Sequence, residues 1–191
     1  MTSSITRSWR RIETWLSVHA PEAAAELTGP ADPASIAAAE RAIGLPFPEP
    51  LVECLLRHDG SGLCPVLPPY FHLLGADAVA AAWKVRTRIQ DRSGDPHEDD
   101  DDLEPWWHRR WIPFAADGCG AYLVVDRRPG AGYGRIGEAH DEVGGEFERH
   151  AMWASLPAFF EHVATALETG DTLGHYRRTV TDDGRLAWEI L

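Results

Sequence analysis

The stretch 111–137, WIPFAADGCGAYLVVDRRPGAGYGRIG, constrains the fold more than any other part of the chain, because a strand signal is bracketed there by two turn signals. Residues 121–126 read AYLVVD, a short run of β-formers that does not alternate apolar with polar. A strand without that alternation has both faces covered. Ahead of it stands Asp117-Gly118-Cys119-Gly120. An aspartate there accepts from nearby backbone amides and glycine takes positive φ, which predicts a tight turn. Behind it, Arg127-Arg128-Pro129-Gly130-Ala131-Gly132 predicts a second turn, and 133–139 a return strand. Pro113 has no N–H to give a ladder, so 111–115 is expected at an edge or a strand end. Together these signals describe a β-meander at the middle of a mostly antiparallel sheet.

The remainder is mainly helical. Ser4 caps a predicted helix over 4–19, with Ile5, Trp9, Ile12 and Leu16 on one face. Ala20-Pro21 ends it, and 22–27 adds a helical turn or two. Asp32-Pro33 starts a second helix that carries Ile36, Glu40 and Ile43 and ends at Gly44. A third runs over 51–58, aligning Leu51, Leu55 and His58. Two short apolar segments, 63–67 and 70–74, flank Pro68-Pro69 as a hairpin or a pair of short strands. A fourth helix over 76–90 sets Val79, Trp83 and Arg86 on one face, with Ala82, Val85 and Ile89 beside them. Gly144-Gly145 predicts a turn and 146–154 a strand. Ser155 then caps a last helix bearing Leu156, Phe159, Phe160, Val163 and Leu167, closed by Gly170. Beyond it, 182–184 is a turn, and Leu186, Trp188 and Ile190 alternate as in a strand that completes the sheet or covers its edge. The fold class is α+β, with helices packed around the meander. One domain spans 1–191, with an acidic loop at 93–105 and a C-terminal extension at 171–191.

The motif W-x-P-F-A-x-D-G-x-G, running from Trp111 to Gly120, is followed by a strand ending in Asp126 and then by x-x-P-x-x-G. Upstream stand Trp9-x-x-Ile12-Glu13-x-x-Leu16, Ile43-Gly44-Leu45-Pro46, Leu51, Leu55 and His58-Asp59-Gly60. In order and spacing this set resembles the SMI1/KNR4 family of the SUKH superfamily, over roughly residues 9–168. The resemblance implies an SMI1/KNR4-like fold and a role in protein binding. Bacterial members of the superfamily are immunity proteins that neutralise polymorphic toxins, many of them basic and nucleic-acid-directed. Eukaryotic members are linked to cell-wall regulation and signalling through protein contacts.

Charge narrows the partner. The net charge of −12 argues against nucleic acid, whose binding needs cationic contacts to phosphate, and would steer the chain toward a basic protein. More than half of it lies in residues 95–104, DPHEDDDDLE, which hold seven acidic residues and no Lys or Arg. Such a run reads as a solvated loop, or as a docking surface for a basic partner. An EF-hand frame does not fit it, because no register puts Gly at the sixth position; weak cation binding there stays open. The candidate partner-binding residues are Glu98, Asp99, Asp100, Asp101, Asp102, Glu104, Trp106 and Trp107. Trp111 belongs to the sheet motif and is expected in the core. Trp106 or Trp107, beside the acidic run, is the expected partly exposed anchor, since tryptophan serves both cores and binding hot spots.

Signals of catalysis are weak. There is no H-E-x-x-H, C-x-x-C or G-x-S-x-G. The glycines at 130, 132 and 134 lack a Walker Lys-Ser/Thr pair and precede a strand, so a hairpin turn is expected rather than a phosphate cradle. Asp117 and Asp126 flank the central strand, where capping of turn amides accounts for both. His58, beside a helix end, reads as a local cap or a packed residue. No enzyme activity, cofactor or metal is expected. Three cysteines without metal-like spacing, no apolar run near ~18 residues and no secretory h-region make a cytoplasmic setting the expectation. Two functions remain: an immunity protein that binds a basic toxin, and a non-catalytic scaffold or regulatory interaction protein.

Overall fold

A computed structural model describes residues 4–93, 104–140, 144–147 and 153–191. Its elements are α1 (Ser4–His19), α2 (Pro21–Glu26), α3 (Pro33–Ile43), α4 (Glu49–Arg57), β1 (His72–Leu73), α5 (Ala76–Ser93), β2 (Trp111–Ala116), β3 (Tyr122–Asp126), β4 (Ile136–His140), β5 (Gly144–Glu146), α6 (Leu156–Thr169), β6 (Tyr176–Val180) and β7 (Leu186–Ile190). An antiparallel five-stranded sheet has the order β1-β2-β3-β4-β5, so the expected meander is its centre.

Local chemistry accounts for the helices. The Asp32 carboxylate accepts from Ala34 N at 2.8 Å and Gly44 closes α3, while Ser155 Oγ accepts from Ala158 N at the start of α6. The apolar stripe of α1, Ile5, Trp9, Ile12 and Leu16, is buried against α6. Arg11 of α1 grips Glu161 and Glu168 of α6, closing the same contact from outside. The sheet face turned toward these helices supplies Ile112, Phe114, Leu123, Val125 and Ile136 to a core cluster that extends from Ile5 to Trp188.

The opposite sheet face carries a second, aromatic cluster of Trp106, Trp107, Trp111, Val124, Ala139 and Phe147. Alternation along β2 and β3 divides the residues: Trp111 and Val124 face one way, Ile112 and Val125 the other. Both faces are therefore covered, as the missing alternation of β3 predicts.

Several expectations are corrected. β2 is an inner strand, although β1 pairs only with Ala115 and Ala116. Among the described residues no strand stands on that side of Trp111–Pro113, where a proline is tolerated. The return strand starts at Ile136 because the turn is longer: Tyr133 N donates to Gly130 O, and Gly134 N to Asp126 O. Gly144-Gly145 is strand β5 rather than a turn. Glycine is required there by a close approach, since a Cβ on Gly145 would overlap the Trp111 ring and one on Gly137 the Phe147 ring. The strand expected over 146–154 is seen only as far as Glu146; residues 148–152 lie outside the described residues. The hairpin expected around Pro68-Pro69 is a single Leu67–Phe71 bridge plus the two-residue β1. On α5, Val85 and Ile89 are exposed, and Arg86 and Thr87 are the buried pair. The C-terminal strand does not complete the main sheet. It pairs with β6 as a separate hairpin, whose Trp188 donates from Nε1 to Pro65 O.

The close approach at Gly145 gives a direct test. Gly145→Ala must displace a fully buried tryptophan, and overpacking of this kind costs about 1–3 kcal/mol. Gly29→Ala, with open space around its Cβ position, should leave the urea midpoint nearly unchanged.

Candidate functional site

The segment 104–110 follows the acidic run and lies as a strap across the second sheet face. It is held by polar contacts on three sides. Gly145 N donates to Pro105 O, and Trp107 Nε1 donates to Thr87 Oγ1 of α5 at 3.1 Å. Trp83 Nε1 donates to Arg109 O at 3.0 Å, and the Arg109 side chain pairs with Asp91. Between these contacts Trp107 is fully buried and meets Trp111 edge-on, with ring centroids 6.2 Å apart.

Where the strap begins, four charged side chains form a closed ring. Asp126 ends β3 on the strap side and is buried. Its carboxylate accepts Arg128 N at 2.9 Å, Arg128 Nη2 at 2.8 Å and Arg135 Nε at 3.1 Å. The outer edges of the two guanidiniums meet Glu104: Arg128 Nη1 donates to Oε2 at 2.6 Å and Arg135 Nη2 to Oε1 at 2.7 Å. Arg135 lies 3.9 Å over the Phe147 ring, and Arg128 5.2 Å over Trp111. The glycine turn brings both arginines to one end of the meander, beside an open pocket of about 280 Å³ lined by Glu104, Asp126, Arg128, residues 129–132 and Arg135.

The electrostatics follow from the ring. Burial works against ionisation of Asp126, but the hydrogen bonds and charge of Arg128, joined by Arg135, outweigh it and hold the carboxyl below its ordinary range. Glu104 is depressed in the same way, with burial opposed by Arg128 and Arg135. Burial and the Arg128 charge lower the neighbouring His108. Both carboxyls are held ionised, the reverse of what a general acid needs near neutral pH. Two oriented guanidiniums around one carboxylate form instead a recognition geometry.

The expected site residues separate into three groups. Glu98, Asp99, Asp100, Asp101 and Asp102 lie outside the described residues. Glu104 is turned into the charge ring, with its side chain 31% exposed. Trp106 and Trp107 are buried at 5% and 0%, which corrects the expectation of a partly exposed anchor: the second face of the sheet needs a cover, and these rings supply it. Arg128 and Arg135 went unnoticed in the sequence as a pair. Their one signal was a pair of arginines flanking a glycine turn after a strand-terminal aspartate.

The remaining candidates have structural roles. Asp117 Oδ1 accepts from the amides of Cys119, Gly120 and Ala121, as its turn position predicts. His58 faces Thr28 O from Nδ1 at 2.6 Å and Glu13 Oε1 from Nε2 at 2.8 Å, and packs at a tilt against Trp9. Cys54 and Cys64 are free, and burial pushes both thiols up to about 12. Among the described residues no group of three His, Cys, Asp or Glu could hold a metal, and no helix is long and apolar enough to cross a membrane.

Residues 30–162 match the SMI1 / KNR4 family (SUKH-1). That span runs from the approach to α3 into the first half of α6 and takes in the whole five-stranded sheet, the strap and the charge ring. No curated protein matches the chain.

Proposed function

The chain belongs to the SMI1/KNR4 family (SUKH-1), and from that premise we propose that it is a bacterial immunity protein that neutralises a cognate toxin by binding it directly. Domains of this family are immunity-protein-like and generally non-enzymatic, and the family favours a protein partner. The finer reading is supported chiefly by one observation: six acidic residues and no Lys or Arg fall within residues 95–103, between α5 and the strap. A strongly acidic inhibitor gains association rate toward a basic partner through steering and loses that gain with salt. The proposed contact surface is the run Glu98, Asp99, Asp100, Asp101 and Asp102. Glu104 and Trp107, which follow it in the chain, are fixed in the charge ring and in the core. We take residues 1–191 as one domain, a reading supported by the core cluster that reaches from Ile5 to Trp188, and a cytoplasmic setting as the one that fits its free thiols.

The test is capture of the partner from lysate of the source organism, at low salt and at about 0.5 M, by the wild type and by a variant with Asp99, Asp100, Asp101 and Asp102 changed to Asn. The expected result is one basic protein, lost at high salt and with the variant, whose activity the bound wild type suppresses. Once that protein is purified, the variant should associate about tenfold more slowly or worse. Retention of the same partner under all conditions would remove the acidic run from the interface and favour a scaffold role.

A further inference from the structure

We propose that Arg128 and Arg135 form an oxyanion-binding site, filled in cis by Glu104 and able to take a carboxylate or phosphate from another molecule in its place. The inference is independent of the toxin-binding reading and concerns the charge ring of Glu104, Asp126, Arg128 and Arg135.

The site has a built foundation. Asp126 is 1% exposed and binds both guanidiniums from below, so their outer N–H groups are aimed before any ligand arrives. Those groups, Arg128 Nη1 and Arg135 Nη2, converge on the two oxygens of a single carboxylate at 2.6 and 2.7 Å. Convergent donors on a planar anion are how arginine recognises carboxylates and phosphates. The rings of Phe147 and Trp111 back the two guanidiniums and limit their other orientations.

Charge and access point the same way. Without Glu104 the ring keeps two cations and one anion, so it requires an anion at that position. Glu104 is not part of the hairpin that builds the clamp; it belongs to the strap. Its side chain is 31% exposed and borders the open pocket of about 280 Å³. A ligand oxyanion can therefore reach the arginines from solvent as Glu104 swings away. Pro105 stays bonded to β5, and Trp106 and Trp107 stay buried, so the exchange leaves the strap in place. A tethered carboxylate acts at a high effective concentration, so free anions at millimolar levels should not displace it in the wild type.

Glu104→Ala empties the position and provides the test. The probes are sodium phosphate and sodium acetate, each against sodium chloride at equal ionic strength, read by thermal unfolding and by isothermal titration. The expected result is that phosphate, acetate or both raise the Tm of Glu104→Ala by about 3–6 °C at ten times Kd, with the wild type unmoved. Adding Arg135→Gln should abolish the shift. A response to phosphate alone identifies a phosphate ligand, and a response to acetate a carboxylate one. Glu104→Gln, isosteric and uncharged, is the second variant and should show a weaker response of the same order. If neither anion exceeds chloride in folded variants, or if both variants fail to fold, Glu104 is a structural counter-ion and the proposal is overturned.

Discussion

Asp126→Asn is expected to destabilise the protein by about 3 kcal/mol, the lower end of the range for breaking a buried ion pair, because Arg128 and Arg135 keep partial access to water. For a chain of this length that lowers Tm by about 6–12 °C. The exposed Arg109–Asp91 pair is the contrast: Asp91→Asn removes a contact of the surface kind, worth about 0.2–1 kcal/mol. The substitution should also change the pH profile. Asp126 and Glu104 both lie below their ordinary values of 3.8 and 4.5. Depressed carboxyls contribute stability above those values and lose it as pH falls through the lowered folded-state values. The wild type should therefore lose stability on acidification from about pH 5 toward pH 2, and Asp126→Asn should follow a flatter course. Urea midpoints across that range decide it. An equally steep curve in the variant would mean that the ring does not carry the acid sensitivity.

The parts of this fold that were legible in the sequence are those that local chemistry dictates. Asp32-Pro33 and Ser155 start their helices, Gly44 and Gly170 end theirs, and β3 reads as a doubly covered strand from its own residues. What failed to read depends on partners distant in the chain. Gly144-Gly145 looks like a turn because glycine is a turn residue, yet glycine stands there because the Trp111 ring fills the space a side chain would need. Pro113 argues for an edge, and only the two-residue length of β1 makes it acceptable in an inner strand. The C-terminal residues alternate as strands do, but β6 carries too little apolar character to announce itself as their partner. At the candidate site the family and the acidic run were readable. The ring was not, because Glu104, Asp126, Arg128 and Arg135 each look like ordinary surface charges until the turn folds them together.

Trp106 or Trp107 was expected as a partly exposed anchor and both are buried, so Trp107 offers the second large test. An exposed anchor replaced by alanine would leave stability within about 0.5 kcal/mol and lose affinity. A buried cover residue behaves differently. Trp107 is 0% exposed, packs edge-on against Trp111 and bonds Thr87, so Trp107→Ala is expected to cost about 3–5 kcal/mol of stability. Trp107→Phe keeps one six-membered ring but loses the rest of the indole and its bond to Thr87 Oγ1, about 1–3 kcal/mol. The order wild type, Phe, Ala in urea midpoint would establish the strap as the roof of the second sheet face. It would also bear on the proposed binding, since the chain that follows the acidic run is fixed by Glu104 in the charge ring and by Trp107 in the core. Loosening that end by Trp107→Ala should weaken any partner of the run through lost positioning. Affinity should then recover in Trp107→Phe together with stability, whereas a direct contact would be lost in both variants.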